Sequence, residues 1–208
     1  MTEYYIPTGA GEAELVEKRS QFLGHVCSVE TEDEARAFIA EMKKKYYDAR
    51  HNCWCYIIRG GAERYSDDGE PQGTAGIPML EVFRREGIVN VVCVVTRYFG
   101  GVLLGTGGLL RAYTKSAKDA LDAAGVSEVR RWVGLDIPCS YAQCEKLRLE
   151  AAAAGGIVSD VEYGAGVTIK ALVPEEGAEA FKARIFDVSA GTVTASVTGD
   201  DFRAVPIR

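Results

Sequence analysis

The chain has 208 residues, 47% hydrophobic and 26% charged, an ordinary globular composition that excludes collagen, coiled coil and intrinsic disorder. Its net charge of −6 excludes a molecule that binds nucleic acid through an overall basic surface. That length exceeds one typical domain, and two are expected, 1–130 and 131–208.

Gln21 to Val29 is short and partly alternating, which predicts a strand. Thr31-Glu32-Asp33-Glu34 then reads as a capping box, with an acidic first turn that suits the helix dipole. Ala35, Phe38, Ile39, Met42 and Tyr46 follow at helical spacing, so one face packs on a sheet through about Ala49. Asn52 to Ile58 is aromatic and β-branched and reads as a second strand. Ile88 to Val95 is apolar except for Asn90, the pattern of a central strand covered on both faces. Gly100–Gly108 leads into a second long helix, with Leu109, Tyr113, Ala117, Ala120, Leu121 and Ala124 in register and Gly125 as its stop.

A new unit begins near Arg131. Trp132–Ile137 is strand-like and Tyr141–Ala153 helical; Ile157–Tyr163 and Val167–Val173 are strands around the turn Gly164-Ala165-Gly166. Glu175–Phe186 is a helix and Thr192–Val197 a closing strand. This βαββαβ order predicts a ferredoxin-like domain, so the fold class is α+β.

Met1 to Gly11 has no basic start followed by an apolar run, and no segment approaches the ~18 apolar residues a bilayer requires. A cytoplasmic protein with no membrane partner is expected. Cys27, Cys53, Cys55, Cys93, Cys139 and Cys144 sit in apolar or strand-like runs, the pattern of free thiols in a reducing compartment. His51, Cys53 and Cys55 would share one strand face, but their spacing is not that of a zinc site and a fourth ligand is missing. Neither His25 nor His51 has a nucleophile placed beside it by the sequence. No catalytic residue, metal or cofactor is assigned.

The segment richest in chemistry has three parts. Ser66 to Pro78 places Asp67, Asp68 and Glu70 ahead of turn-forcing glycines and prolines, Gly73 among them, and is expected to be a structured loop. Thr96-Arg97-Tyr98-Phe99-Gly100-Gly101 follows the central strand. Leu104-Gly105-Thr106-Gly107-Gly108 then opens the second helix, with Arg111-Ala112-Tyr113 in its first turns. Unpaired N–H groups at that helix start, with Arg97 and Arg111, make an anion site one reading. A second pairs Arg97 or Arg111 with Asp67, Asp68 or Glu70 to pin the glycine loops. The glycines match neither a dinucleotide fold nor a phosphate loop.

Asp67-Asp68-Gly69-Glu70-Pro71 with Gly73-Thr74-Ala75-Gly76, Thr96 to Gly101, and Leu104-Gly105-Gly107-Gly108-Leu109 with Arg111-Ala112-Tyr113 resemble the IMPACT (imprinted and ancient) family, whose bacterial members are called YigZ-like. Lys18-Arg19-Ser20-Gln21-Phe22 and His51-Asn52-Cys53 look like its weaker upstream motifs, so the resemblance covers roughly 15–125. It implies a first domain similar to domain IV of elongation factor G, a sheet with two long helices, and a ferredoxin-like second domain. It also implies a link to translation, because eukaryotic relatives restrain a starvation-sensing kinase through a ribosome-associated partner. Those relatives carry an extra N-terminal domain, so the kinase pathway is not carried over.

The expected partners are RNA, the ribosome or a ribosome-bound protein, with no DNA-specific signal, met by Arg97, Tyr98, Gly100, Gly101, Gly105, Gly107, Gly108 and Arg111 together with Asp67, Asp68, Glu70 and Gly73. Up to Arg131 the chain holds 17 basic and 19 acidic residues, and after it 7 and 11, so a local basic patch is expected in the first part. The alternative is an enzyme in which Asp67, Asp68 and Glu70 hold Mg²⁺ and Arg97 and Arg111 hold substrate phosphate.

Overall fold

In chain order the first strands are β1 (Tyr4–Pro7), β2 (Gly11–Glu17) and β3 (Ser20–Ser28), seen in a computed structural model that describes residues 3–208. Periodicity reveals only β3, because β2 presents Glu12, Glu14 and Glu17 to solvent and reads as a charged linker. Lys18 and Arg19 turn β2 into β3, both at positive φ (47° and 65°), with Glu17 opposite Ser20.

Helix α1 (Glu32–Lys45) starts at Thr31, whose hydroxyl accepts from the Glu34 N–H at 3.2 Å. The Glu34 carboxylate reaches Glu30 N rather than Thr31 N, so the capping box is half closed. The helix stops at Lys45, short of the expected Ala49. The Tyr46 carbonyl accepts from the Asn52 side chain, and the Asp48 carboxylate accepts from Tyr98, which draws residues 46–48 out of helical register.

Strands β4 (His51–Ile57) and β5 (Glu63–Ser66) lead to α2 (Gly76–Arg85), a helix that Gly76 and Pro78 disguise in the sequence. Pro78 lies in the first turn, where a missing N–H costs no intrahelical bond. Strand β6 (Val91–Tyr98) begins after Asn90, whose φ of 53° breaks the apolar run. Ile88 instead bridges to Tyr5. Helix α3 (Thr106–Ala124) ends at Gly125, at a φ of 73°.

Strands β2 to β6 form one sheet in the order β2-β3-β6-β4-β5. Val91 to Val95 of β6 are fully buried because both faces are covered. Val92 and Val94 pack with Tyr56 against Ala35, Ile39 and Met42 of α1. Cys93 and Val95 pack with Cys53, Cys55 and Phe22 against Met79 and Phe83 of α2 and Tyr113, Ala117 and Leu121 of α3.

The remaining elements are β7 (Val126–Cys139), α4 (Tyr141–Ala153), β8 (Ile157–Tyr163), β9 (Val167–Pro174), α5 (Glu175–Val188) and β10 (Ser196–Pro206). They follow the expected βαββαβ order, with β9 between β7 and β8 in antiparallel β7–β9 and β8–β9 pairs, and with both β1 and β10 paired to β7. Leu135, Ile137, Ile169 and Val173 bury one sheet face against Leu147 of α4 and Phe181 and Ile185 of α5. β10 starts four residues later than the expected Thr192, because Thr192 and Val193 are held in a turn by the Ser189 carbonyl and hydroxyl.

The chain divides into two units, one of Tyr4–Glu128 with Ala204–Arg208 and the other including Val129–Arg203. The last five residues thus group with the first unit. Among the described residues no helix is long and apolar enough to cross a membrane, and the six cysteines are free thiols.

Candidate functional site

The antiparallel register brings four chain junctions to one end of the first sheet. Gln21 lies opposite Tyr98, His51 opposite Arg97 and Trp54 opposite Ser66, so β3 and β4 start where β5 and β6 finish. The 18–20 turn, the 46–51 segment, the acidic loop after Ser66 and the glycine loop after Tyr98 therefore meet.

The acidic loop is held by its own carboxylates. Asp68 and Gly69 have φ of 43° and 88°, and Glu70 N donates to the Asp67 carbonyl at 2.9 Å, the Asp-Gly arrangement of a type I′ turn. The Asp67 carboxylate accepts from Gly73 N (2.8 Å), Ala75 N (3.0 Å) and Gly76 N (2.8 Å), so it caps α2 from outside the helix. Asp68 accepts from Lys43 Nζ and from Asn52 N, each at 2.7 Å, which ties α1 and β4 to the loop. Its carbonyl lies 3.0 Å from His51 Nδ1.

Glu70 sits deeper. Its Oε1 accepts from Arg97 Nη1 at 2.7 Å and from the Tyr113 hydroxyl at 2.8 Å, with the Glu70 and Arg97 side chains only 3% and 7% exposed. Burial, with Glu70 and Cys53 beside it, pushes the Tyr113 hydroxyl far above its ordinary pKa. Burial likewise raises Cys53, whose Sγ lies 3.0 Å from the Asp67 carbonyl and 3.4 Å from Tyr113 Oη. These are inert groups at neutral pH.

Arg97 is therefore a buried partner of Glu70, and the pairing reading describes it. Asp67, Asp68 and Glu70 bind three separate sets of protein groups and do not converge as a Mg²⁺ site would require. No group of three His, Cys, Asp or Glu side chains is arranged for a metal among the described residues.

The glycine loop is built on the turn before β3. A Cβ on Gly100 would lie 2.0 Å from Arg19 C and O, so only glycine permits the approach, and Gly100 N donates to Ser20 Oγ at 3.2 Å. Gly101 and Gly105, at φ of 82° and 72°, carry the chain around to α3, and Gly73, at 77°, serves the turn before α2. Gly108 packs on Leu104, where a Cβ would meet the side chain at 2.9 Å. Tyr98 donates to Asp48 at 2.7 Å, which pushes its hydroxyl pKa up to about 12. Arg111 is exposed beside Gly107, whereas Arg97 is buried, and it has no carboxylate partner among the described residues.

Residue-by-residue reasoning missed the surface. Lys18, Arg19 and Arg50 are exposed at this end and form no ion pair among the described residues. Tyr47 is 84% exposed, Phe99 54% and Leu103 82%. The signal was in the motifs, since Lys18-Arg19 and Phe99 lie inside matched segments, but apolar periodicity reports only buried faces.

The Impact N-terminal domain family model matches residues 18–121, and a Domain of unknown function (DUF1949) matches 137–192. The IMPACT family member YvyE of Bacillus subtilis is 37% identical over 90% of this chain and 88% of its own. The chain belongs to the IMPACT family. YigZ of Escherichia coli, another IMPACT family member, is 31% identical over 93% of this chain and 97% of its own. Eukaryotic IMPACT proteins match less: the Dictyostelium discoideum homolog is 35% identical over 48% of this chain and 30% of its own. A solved structure described as that of a hypothetical protein aligns with a TM-score of 0.60 at 28% identity, covering 96% of this chain and 98% of that one.

Proposed function

We propose that this IMPACT family member is a translation-associated binding protein whose first unit contacts ribosomal RNA through the sheet end where the glycine loop, the 18–19 turn and Arg50 meet. One observation carries the reading: Lys18, Arg19 and Arg50 are exposed without carboxylate partners among the described residues, at the sheet end that also exposes Phe99 and Tyr47, on a chain of net charge −6. Of the neighbouring carboxylates, Asp68 and Glu70 are paired with Lys43 and Arg97. Aromatic rings among free cations suit RNA, whose affinity is dominated by phosphate contacts.

Co-sedimentation with ribosomes tests the reading. The triple change Lys18→Glu, Arg19→Glu, Arg50→Glu alters exposed side chains only, so the circular dichroism spectrum stays the same while association falls by more than about tenfold at 0.15 M salt. Retention of ribosome binding by the folded triple variant refutes the reading. Binding that disappears when ribosomal proteins are stripped, but persists on intact particles after RNA-directed competition, assigns the surface to a protein partner instead.

A further inference from the structure

We infer that Phe99 is a stacking platform for an unpaired base, so that the ligand of this surface is single-stranded RNA rather than a duplex; this rests on the RNA reading of the same end and specifies its partner. Phe99 is 54% exposed, although it follows directly on β6, whose residues are buried or half-buried. The Arg97 guanidinium carbon lies 5.5 Å from the centroid of the Phe99 ring and 5.5 Å from that of Phe22. Arg97 is itself fixed by Glu70 at 2.7 Å, and Glu70 by Tyr113 at 2.8 Å. The ring thus rests on a guanidinium that is locked into the core and leaves more than half of its surface to solvent.

The chain after Phe99 is closely packed. Gly100, the residue after Phe99, lies against the backbone of Arg19, which puts the chain at Phe99 next to the Lys18-Arg19 turn. Lys18 and Arg19 have no carboxylate partner among the described residues and extend from a two-residue turn in which both have positive φ. An aromatic face held beside two free cations recognises a π-face next to phosphates, which a single strand offers and a stacked duplex hides. Arg97 and Glu70 act here as positioning residues and need not touch RNA.

The test uses the full chain with 5′-labelled ten-nucleotide RNA, the same sequence annealed to its complement, and the DNA equivalent. The expected result is tighter binding of the single-stranded RNA than of the duplex. Phe99→Ala weakens single-strand binding about tenfold or more, and Phe99→Trp retains it. The emission added by Phe99→Trp is quenched when the oligonucleotide binds, a stacking signature that a merely structural side chain would not give. Lys18→Ala with Arg19→Ala lowers the slope of log K against log salt by about 1.4, the single-strand value for two phosphate contacts. Lys146→Ala, in the second unit, changes none of these.

Equal affinity for duplex and single strand overturns the inference, as does unchanged binding by folded Phe99→Ala or unquenched emission. Equal binding of the DNA strand keeps the stacking platform but removes the choice of RNA. If ribosome association survives while oligonucleotide binding ignores Phe99, the inference fails and the proposed function stands; if neither is seen, both fail.

Discussion

Arg97 and Arg111 are both arginines in family motifs, yet their surroundings give them opposite roles. Arg97 is in a low-dielectric interior, where its charge is tolerated because Glu70 lies 2.7 Å away and Tyr113 completes the carboxylate's bonding. Arg97→Ala leaves Glu70 buried and without its cation, and a loss of roughly 3–5 kcal/mol in urea unfolding is expected. Arg111→Ala removes an exposed side chain and should stay within about 0.5 kcal/mol of the parent. Equal stability of the two variants would show that the buried pair contributes nothing to the fold. The same contrast separates the two lysines of α1: Lys43 binds Asp68 at 2.7 Å and belongs to the loop's support, whereas Lys44 is exposed without an ion pair among the described residues.

Helix α2 depends on a residue eight positions before its cap. Ala75, its N-cap, offers no side-chain acceptor, and the Asp67 carboxylate takes the Gly73, Ala75 and Gly76 N–H groups instead. Asp67→Ala removes all three contacts. The expected cost is about 2 kcal/mol or more, the upper end for a lost cap. Hydrogen exchange should locate the loss at residues 73–80, with β6 still protected, and unchanged exchange there would rule out the capping role. The glycine loop shows the same dependence between elements, since Gly100 is required by the backbone of the Arg19 turn rather than by its own neighbours in sequence.

For the whole molecule, the chain's ends matter. Ala204–Arg208 groups with the first unit, where Ile207 N donates to the Val126 carbonyl at 2.8 Å, Val126 N donates to the Arg208 carbonyl at 2.9 Å, and the Arg208 guanidinium pairs with Glu86. A chain ending at Arg203 loses all three interactions. Two backbone hydrogen bonds and a half-exposed ion pair together predict about 1–3 kcal/mol less stability for the first unit. Urea unfolding followed by tyrosine absorbance, alongside hydrogen exchange at Val126, checks this; full protection of Val126 in the shortened chain would contradict it. A fragment ending near Arg130 is expected to carry the same deficit.

The sequence alone determined what repeats along the chain. The α1 and α3 faces, the two-sided burial of β6, the stop at Gly125 and the βαββαβ order all follow from periodicity and turn chemistry, which are local. The family motifs also marked the stretches that meet at the sheet end. The sequence could not reveal β2, whose charges hide its pairing with β3, or α2, whose cap comes from Asp67. Nor could it decide between Arg97 and Arg111, because a charge's role depends on its depth and on partners such as Glu70, 27 residues away along the chain. Tertiary structure made that choice: the antiparallel register set which loops share an end, burial paired the charges that could not remain solvated, and the cations left outside formed the exposed patch.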